Sequence, residues 1–197
     1  SGFALGGKRV YASVMFSDIR GFTSLAETQP PEETIELLNT YYTLMFDAIS
    51  THGGVVTLMA GDGLMAVFGA PLPTPDPCGS AVRTALEMIE TMELFNLERV
   101  AAGKPPLRIG IGVASGEMVA GYAGTNERAT YTCIGDTVNL ASRLEAHTKV
   151  AARTILIDGA TRAALGDRVE VEPLGEVPIR GKAEPVDVFS VALGQKL

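Results

Sequence analysis

The sequence has no tryptophan, only two cysteines and two histidines, and no surplus of positive charge. Each shortage excludes something. Cys78 and Cys133 cannot form a disulfide framework, and neither belongs to a paired metal-ligand spacing such as CxxC, so a reducing compartment is expected. The longest apolar stretches, residues 14–16 and 64–68, fall far below the roughly 18 residues of a membrane span. With 16 basic against 23 acidic side chains, a net charge of -7, a general phosphate-backbone binder is excluded, because such proteins carry a basic stripe. No nucleic-acid partner is therefore expected, and any polyanion must be met locally. Residues 1–7 lack the charged start and apolar run of a secretory signal. The expected setting is the cytoplasm with no direct membrane insertion, any tether belonging to absent parts of a parent chain. Ser1 and Gly2 read as a cloning remnant, residues 1–8 as tag or linker, and residues 9–193 as one domain. A hydrophobic content of 46% over 197 residues suffices for a sizeable core without staples.

Residues 9–17 alternate Val10, Ala12, Val14 and Phe16 with Tyr11, Ser13 and Met15, a buried central strand ending at Asp18. After a turn at Gly21, Pro30 and Pro31 precede Glu32 and Glu33, which suit the positive end of a helix. Ile35, Leu38, Tyr42, Met45, Phe46 and Ile49 then recur at helical spacing until Gly53 and Gly54 stop it. Residues 55–59 and 64–68 form two short strands around Ala60-Gly61-Asp62-Gly63, with Asp62 at the tip of a tight hairpin. A proline-rich loop leads to a second helix over about 79–102, with Ala81, Ala85, Met88, Ile89, Met92 and Phe95 on one side. Residues 107–115 read as a strand that turns at Gly116 into a hairpin with 118–122. Residues 131–134 follow, then a third helix over 138–147 with Asp136 as N-cap. Residues 155–157, a small helix near 161–165, and strands at 169–171 and 186–191 complete the chain. The order βαββαβ with a C-terminal α/β extension predicts an α+β fold of ferredoxin-like type, an antiparallel-rich sheet with helices on one face. The crossover and the hairpin then bring Asp18 beside Asp62.

Paired carboxylates with open backbone around them suit hard divalent ions, which could clamp the attacking and leaving oxygens of a phosphoryl or nucleotidyl transfer. Gly-Asp is also ordinary turn chemistry, so spacing alone leaves both readings open. Gly21, Phe22 and Thr23 would offer backbone N–H groups to phosphate oxygens. Asn139 and Arg143 share a helix face, either as a solvated surface or as groups aimed at developing negative charge and at a ribose or phosphate oxygen. Arg180-Gly181-Lys182 is either an exposed basic turn or a polyphosphate holder. His52 and His147 sit where a helix dipole accounts for them. Core packing is the default for Met59, Met65, Tyr41 and Tyr42.

Three segments together resemble the class III adenylate/guanylate cyclase catalytic domain of the bacterial homodimeric type: F-S-D-I-R-G-F-T at 16–23, A-G-D-G-L-M-A-V-F-G at 60–69, and Y-T-C-I-G-D-T-V-N-L-A-S-R at 131–143. The likeness spans about residues 9–192 with the motifs in the family's order. It implies a phosphorus–oxygen lyase converting a nucleoside triphosphate to its 3′,5′-cyclic monophosphate and pyrophosphate. Asp18 and Asp62 match the family's metal-binding aspartates, and Ile19 the position whose carbonyl joins the second of two ions, Mg²⁺ or Mn²⁺. Asn139 matches the ribose-orienting residue and Arg143 the one that stabilises the transition state. Arg180 matches the triphosphate-binding lysine, with Lys182 in reserve. The family's sites form between two wrapped catalytic domains, which implies a head-to-tail homodimer with two composite sites.

The sequence departs from the family where bases are chosen. The lysine of typical adenylate cyclases aligns with Leu58, which cannot donate to a base edge, and the glutamate of guanylate cyclases is absent. Thr132 resembles the bacterial adenylate branch. The expected substrate is ATP, with GTP or mixed specificity as the alternative, and a catalytically silent nucleotide-sensing dimerisation module as the rival from another class.

Overall fold

In the computed structural model, which describes residues 5–197, the alternation that begins near Arg9 becomes a fourteen-residue strand, β1 (Gly6–Ile19). The expected remnant at Ser1 and Gly2 lies outside the described residues. β1 pairs antiparallel on one side with β3 (Gly63–Phe68) and on the other with β4 (Ile109–Gly124). It is therefore the central strand the alternation predicts, and Ala12, Val14 and Met15 are fully buried.

The βαββαβ core is β1, α2 (Pro31–Thr51), β2 (Val55–Ala60), β3, α3 (Pro77–Ala101) and β4, with strands in the order β2-β3-β1-β4. Beyond β4 the sheet continues through β6 (Ile155–Asp158), which runs parallel to β4, then β8 (Val186–Val191) and β7 (Val171–Val177). β5 (Ala129–Ile134) pairs with the far half of β4. This is the expected α+β class, a mostly antiparallel eight-stranded sheet with an α/β extension.

Successive side chains of a strand point to opposite faces, and β1 divides its neighbours accordingly. Met15 and Ile19 pack with Met45 of α2 and Met88 of α3. Ala12 and Val14 pack on the other side with Val138, Ala141 and Leu144 of α4 (Asp136–Ala151). The two core helices thus cover one face, as expected, while α4 of the extension covers the opposite one. No helix among the described residues is long and apolar enough to cross a membrane.

Several local expectations are corrected. Gly116 is no hairpin turn: it sits within continuous β4, paired with Ala12. A Cβ there would stand 2.7 Å from the Thr137 hydroxyl, so the glycine makes room for the start of α4. Asp136 is not the N-cap; Gly135 is, with φ 146, and Asp136 stands in the first turn. On α2 the buried stripe is Leu37, Tyr41, Met45, Ala48 and Ile49, whereas Ile35 and Phe46 are exposed. Met59 is exposed rather than packed. The strand expected at 169–171 begins at Val171. Two features went unanticipated: the short helix α1 (Phe22–Glu27), and Asp76, whose carboxylate accepts from the Gly79 N–H at 3.1 Å to cap α3. The small helix is α5 (Gly159–Leu165), followed by a 3₁₀ turn at Gly166–Arg168.

Candidate active site

Two carboxylates meet at one end of β1. Asp62 occupies the turn between β2 and β3, beside Gly61 at φ 60. Its Oδ2 accepts the backbone N–H of Ile19 at 3.0 Å, which locks the hairpin tip to the residue after Asp18. Tyr42 of α2 holds the turn from behind, its hydroxyl donating to the Gly63 carbonyl at 3.0 Å and reaching that of Gly61. Next to it Tyr41 is fully buried and shares a 3.0 Å hydrogen bond with the Ser17 hydroxyl. The approach of Asp18 and Asp62 that the topology predicts is realised.

A third acid, absent from the sequence reading, completes the cluster. Glu145 lies on α4, which runs close over β4 because Gly110 and Gly112 carry no side chains. A Cβ at Gly110 would stand 3.3 Å from Glu145 Oε2, and one at Gly112 only 2.3 Å from the Glu145 backbone nitrogen. Gly110 is the cross-strand partner of Asp18, so the two carboxyl groups face each other. Burial pushes Glu145 up to about 8, helped by the shared hydrogen bond with Asp18 and by its charge. Asp18 is also raised, by burial first and by Asp62, against the opposing hydrogen bond from Glu145 and the charges of Lys149 and Arg20. The signal in the sequence was the Gly110, Gly112 alternation, which marks close backbone approach.

Apart from each other, Asp18 Oδ1 and Glu145 Oε2 are buried without a hydrogen-bond donor. An orphaned carboxylate oxygen in an acidic pocket beside a second aspartate is what a hard cation satisfies. Among the described residues no group of three or more His, Cys, Asp or Glu could hold a metal unaided. Two carboxylates, with water and substrate phosphates to complete the shell, are a donor set that Mg²⁺ accepts. Ile19 follows Asp18 directly and is tied to Asp62 through its own N–H.

The phosphate-facing and base-facing candidates are placed as follows. Gly21, at φ 67, precedes α1 as its N-cap, and the first-turn N–H groups of Phe22 and Thr23 have no intrahelical acceptors. Arg180, Gly181 and Lys182 form the turn between β7 and β8, and Arg143 packs against Gly181, where a Cβ would stand 2.7 Å from its guanidinium. Asn139 is exposed and Arg143 half-buried on the same side of α4. Leu58, 52% exposed, lies on the edge strand β2. Thr132 lies on β5, its hydroxyl donating to the Thr130 carbonyl at 3.3 Å.

The chain does not bring all of these together. Glu145 faces Asp18; Arg143 stands two positions before it, about 200° around α4, and Asn139 six positions before it, about 240°, so neither shares the side of the helix that faces the aspartates of its own chain. One copy therefore presents two separate groups of these residues: Asp18, Asp62 and the α1 entrance on one side of α4, and Asn139, Arg143 and the Arg180 turn on the other.

Residues 8–192 match the family described as adenylate and guanylate cyclase catalytic domain. Adenylate cyclase 1 of Rhizobium meliloti (strain 1021) is 36% identical over 183 residues, 93% of this chain and 28% of that protein. The chain spans about a third or less of the length of the curated relatives it matches. Among solved structures, the guanylyl cyclase Cya2 has a TM-score of 0.88 at 37% identity, covering 96% of this chain and 95% of its own. The adenylyl cyclase CyaB from P. aeruginosa has a TM-score of 0.89 at 33% identity, covering 97% and 98%.

Proposed function

We propose that this chain, which belongs to the adenylate and guanylate cyclase catalytic domain family, converts ATP to 3′,5′-cyclic AMP and pyrophosphate at sites shared between two copies of itself. The observation that carries the shared site is the division by α4: the aspartates and the Asn139–Arg143 face of one chain look away from each other. A head-to-tail pair would set the aspartates of one copy opposite the Asn139–Arg143 face of the other, twice by symmetry.

In that site Asp18, Asp62 and the Ile19 carbonyl would hold two divalent ions, Mg²⁺ or Mn²⁺. Bound there, such ions supply Lewis acidity toward the ribose 3′-hydroxyl and neutralise triphosphate charge. The N–H groups of Gly21, Phe22 and Thr23 and the Arg180 guanidinium, with Lys182 in reserve, grip the triphosphate. Asn139 orients the ribose so that its 3′-oxygen lies in line with the α-phosphorus. The O3′–P bond forms as the bond to the pyrophosphate oxygen breaks, and Arg143 meets the charge that develops there. Positioning and charge stabilisation then supply most of the acceleration, in keeping with a site that needs no nucleophilic side chain.

Base choice rests on Leu58 and Thr132. Leucine offers no hydrogen bond to either purine, and sites discriminate strongly only when the wrong ligand leaves buried polar groups unpaired. Thr132 favours ATP. The likeness to a guanylyl cyclase at 37% identity supports GTP or mixed use as the second reading. The test is to incubate the purified chain with ATP and separately with GTP, each with Mg²⁺ and with Mn²⁺, and to separate products by chromatography. Cyclic AMP in excess is the expected result. Comparable cyclic AMP and cyclic GMP selects mixed specificity, and no cyclic product at high protein concentration leaves a silent nucleotide-sensing module.

A further inference from the structure

Core packing accounts for the ring of Tyr42 but not for its hydroxyl. The ring is half-buried on α2, tilted against Tyr41 with 5.5 Å between centroids and edge-on to Phe46 at 6.4 Å. The hydroxyl leaves that packing and ends between two carbonyls of the β2–β3 turn, donating to Gly63 at 3.0 Å and reaching Gly61. Burial, and then the charge of Asp62, push this hydroxyl up, so it keeps the proton it donates.

The two carbonyls flank Asp62. The turn needs such a hold, because β2 and β3 close through only two residues, Ala60 pairing with Gly63, and glycine stands on both sides of the aspartate. Glycine loses more backbone freedom than any other residue when it is ordered. Gly61 is also exposed, with open space where a Cβ would be, so packing does not fix it. Among the described residues no other side chain donates to a carbonyl of this turn.

Tyr41, the preceding residue of α2, makes the matching contact on β1. It is fully buried, and its hydroxyl shares a 3.0 Å hydrogen bond with Ser17, next to Asp18. Neighbouring residues of one helix therefore hold the chain beside each aspartate, and α2 is a common reference for both. The Ile19 N–H orients the Asp62 carboxylate from the front at 3.0 Å; the peptide groups that carry it are set from behind by Tyr42.

We infer that Tyr42 is a positioning residue of the cyclase site: its hydroxyl fixes the backbone that carries Asp62, and so holds that carboxylate at the separation from Asp18 that a divalent ion requires. The inference rests on the reading of Asp18 and Asp62 as cation ligands. It adds to them a residue from α2, which supplies no ligand itself. Loss of a group that orients a metal ligand lowers affinity roughly ten- to a hundredfold, and Tyr42, acting through backbone, belongs at the lower end.

The test is Tyr42→Phe, which removes one oxygen and keeps the ring contacts. Mn²⁺ is titrated into the purified chain without nucleotide, and paramagnetic broadening of the Ile19 and Gly63 amide signals is followed by NMR. The apparent dissociation constant should rise roughly tenfold in the variant, with circular dichroism unchanged. In steady-state kinetics with the preferred nucleotide, the half-saturating Mg²⁺ concentration should rise by a similar factor, and excess Mg²⁺ should recover most of the lost rate. A packing role alone would lower the rate equally at every Mg²⁺ concentration and leave both metal constants at their parental values; that result overturns the inference. Asp62→Ala separates it from the reading beneath. If Asp62→Ala abolishes the Mn²⁺ broadening while Tyr42→Phe matches the parent, Tyr42 only packs and the cation reading stands. If Asp62→Ala binds Mn²⁺ as the parent does, or the parent shows no broadening, the cation reading falls and the role of Tyr42 with it.

Discussion

The backbone of Gly181 lies against the guanidinium of Arg143. A Cβ at Gly181 would stand 2.7 Å from one terminal nitrogen of Arg143 and 2.8 Å from its central carbon. The turn between β7 and β8 therefore sets where the Arg143 charge rests, and the exposed Arg180 is the neighbouring residue of the same turn. The glycine has two reasons to be there, the close approach and a φ of +86.

Substitution at this turn gives the first prediction. In Gly181→Ala the obstructed atoms are the far end of a long side chain, so the protein folds and Arg143 is displaced. The left-handed backbone adds about 1–2 kcal/mol of strain. If Arg143 meets transition-state charge as proposed, a shift of about 1 Å costs roughly ten- to a hundredfold in rate. Steady-state kinetics should show that loss in kcat with KM nearly unchanged. A kcat equal to that of the parent chain would detach Gly181 from the position of Arg143.

The second prediction concerns pH. Glu145 is raised from an ordinary value of 4.5 to about 8, so the folded chain holds this proton more tightly than the unfolded one. Stability from this group is complete below the unfolded value and is lost as pH rises through the folded one. Asp18 is shifted in the same direction, and Lys149 opposes both. Without divalent ions, the melting temperature should fall from about pH 5 to about pH 8. Glu145→Gln, which keeps the volume and cannot ionise, should flatten that fall. A parallel pH profile in the variant would show that Glu145 does not hold the proton.

Much of this arrangement could be read from residue order, and the exceptions share a cause. The period-two runs, the Gly61–Asp62 turn and the meeting of Asp18 with Asp62 depend on local pattern and on the shortest connection, both written in the sequence. The face of the sheet that α4 covers is a long-range choice. Without it, Glu145 and Lys149 read as an ordinary surface pair one helical turn apart, although burial makes Glu145 unusual. Gly116 misled for the same reason: inside an alternating run it resembles a turn, and only the packing of Thr137 against it reveals its use. On α2 the expected stripe holds Met45 and Ile49, which are buried, but it also includes Ile35 and Phe46, which are exposed; only the sheet selects the face through Leu37, Tyr41 and Ala48. Asp18, Asp62, the Gly21–Thr23 turn, Asn139, Arg143 and Arg180 stand out by residue type and spacing, and Ile19, Leu58 and Thr132 only through motif likeness; that likeness implies sites shared between two copies, but which side of α4 each group takes is not legible from spacing.

The glycine that lets α4 approach gives the third prediction. At Gly112 a Cβ would lie 2.3 Å from the Glu145 backbone nitrogen and 2.6 Å from the Ala141 carbonyl oxygen. These are backbone atoms of a packed helix, so nothing flexible can yield and α4 must lift. Gly112→Ala should cost about 2–4 kcal/mol, the upper range for overpacking. The comparison is Gly103→Ala, just after α3, at φ +76 with open space around it, where only left-handed backbone strain of about 1–2 kcal/mol applies. Urea denaturation with equal slopes would measure both. A Gly112→Ala chain no less stable than Gly103→Ala would mean that α4 does not rest closely on β4.

The division of the half-sites gives the last prediction. Under the proposed reading, Asp18→Ala removes the cation side of each copy and leaves the Asn139–Arg143 face intact; Arg143→Ala does the reverse. Each variant alone should be inactive, because every site in its homodimer carries the lesion. When the two chains are mixed, the heterodimer contains one site with both lesions and one with neither. Random pairing places half of the chains in heterodimers, each with one working site, so about a quarter of parental activity should return. Dilution below the dimer dissociation range should abolish it, since activity then follows pairing rather than the amount of chain. A heterodimer verified by differential tags that shows no recovery would place Asp18 and Arg143 in the same copy's chemistry, against the roughly 200° that separates Arg143 from Glu145 around α4.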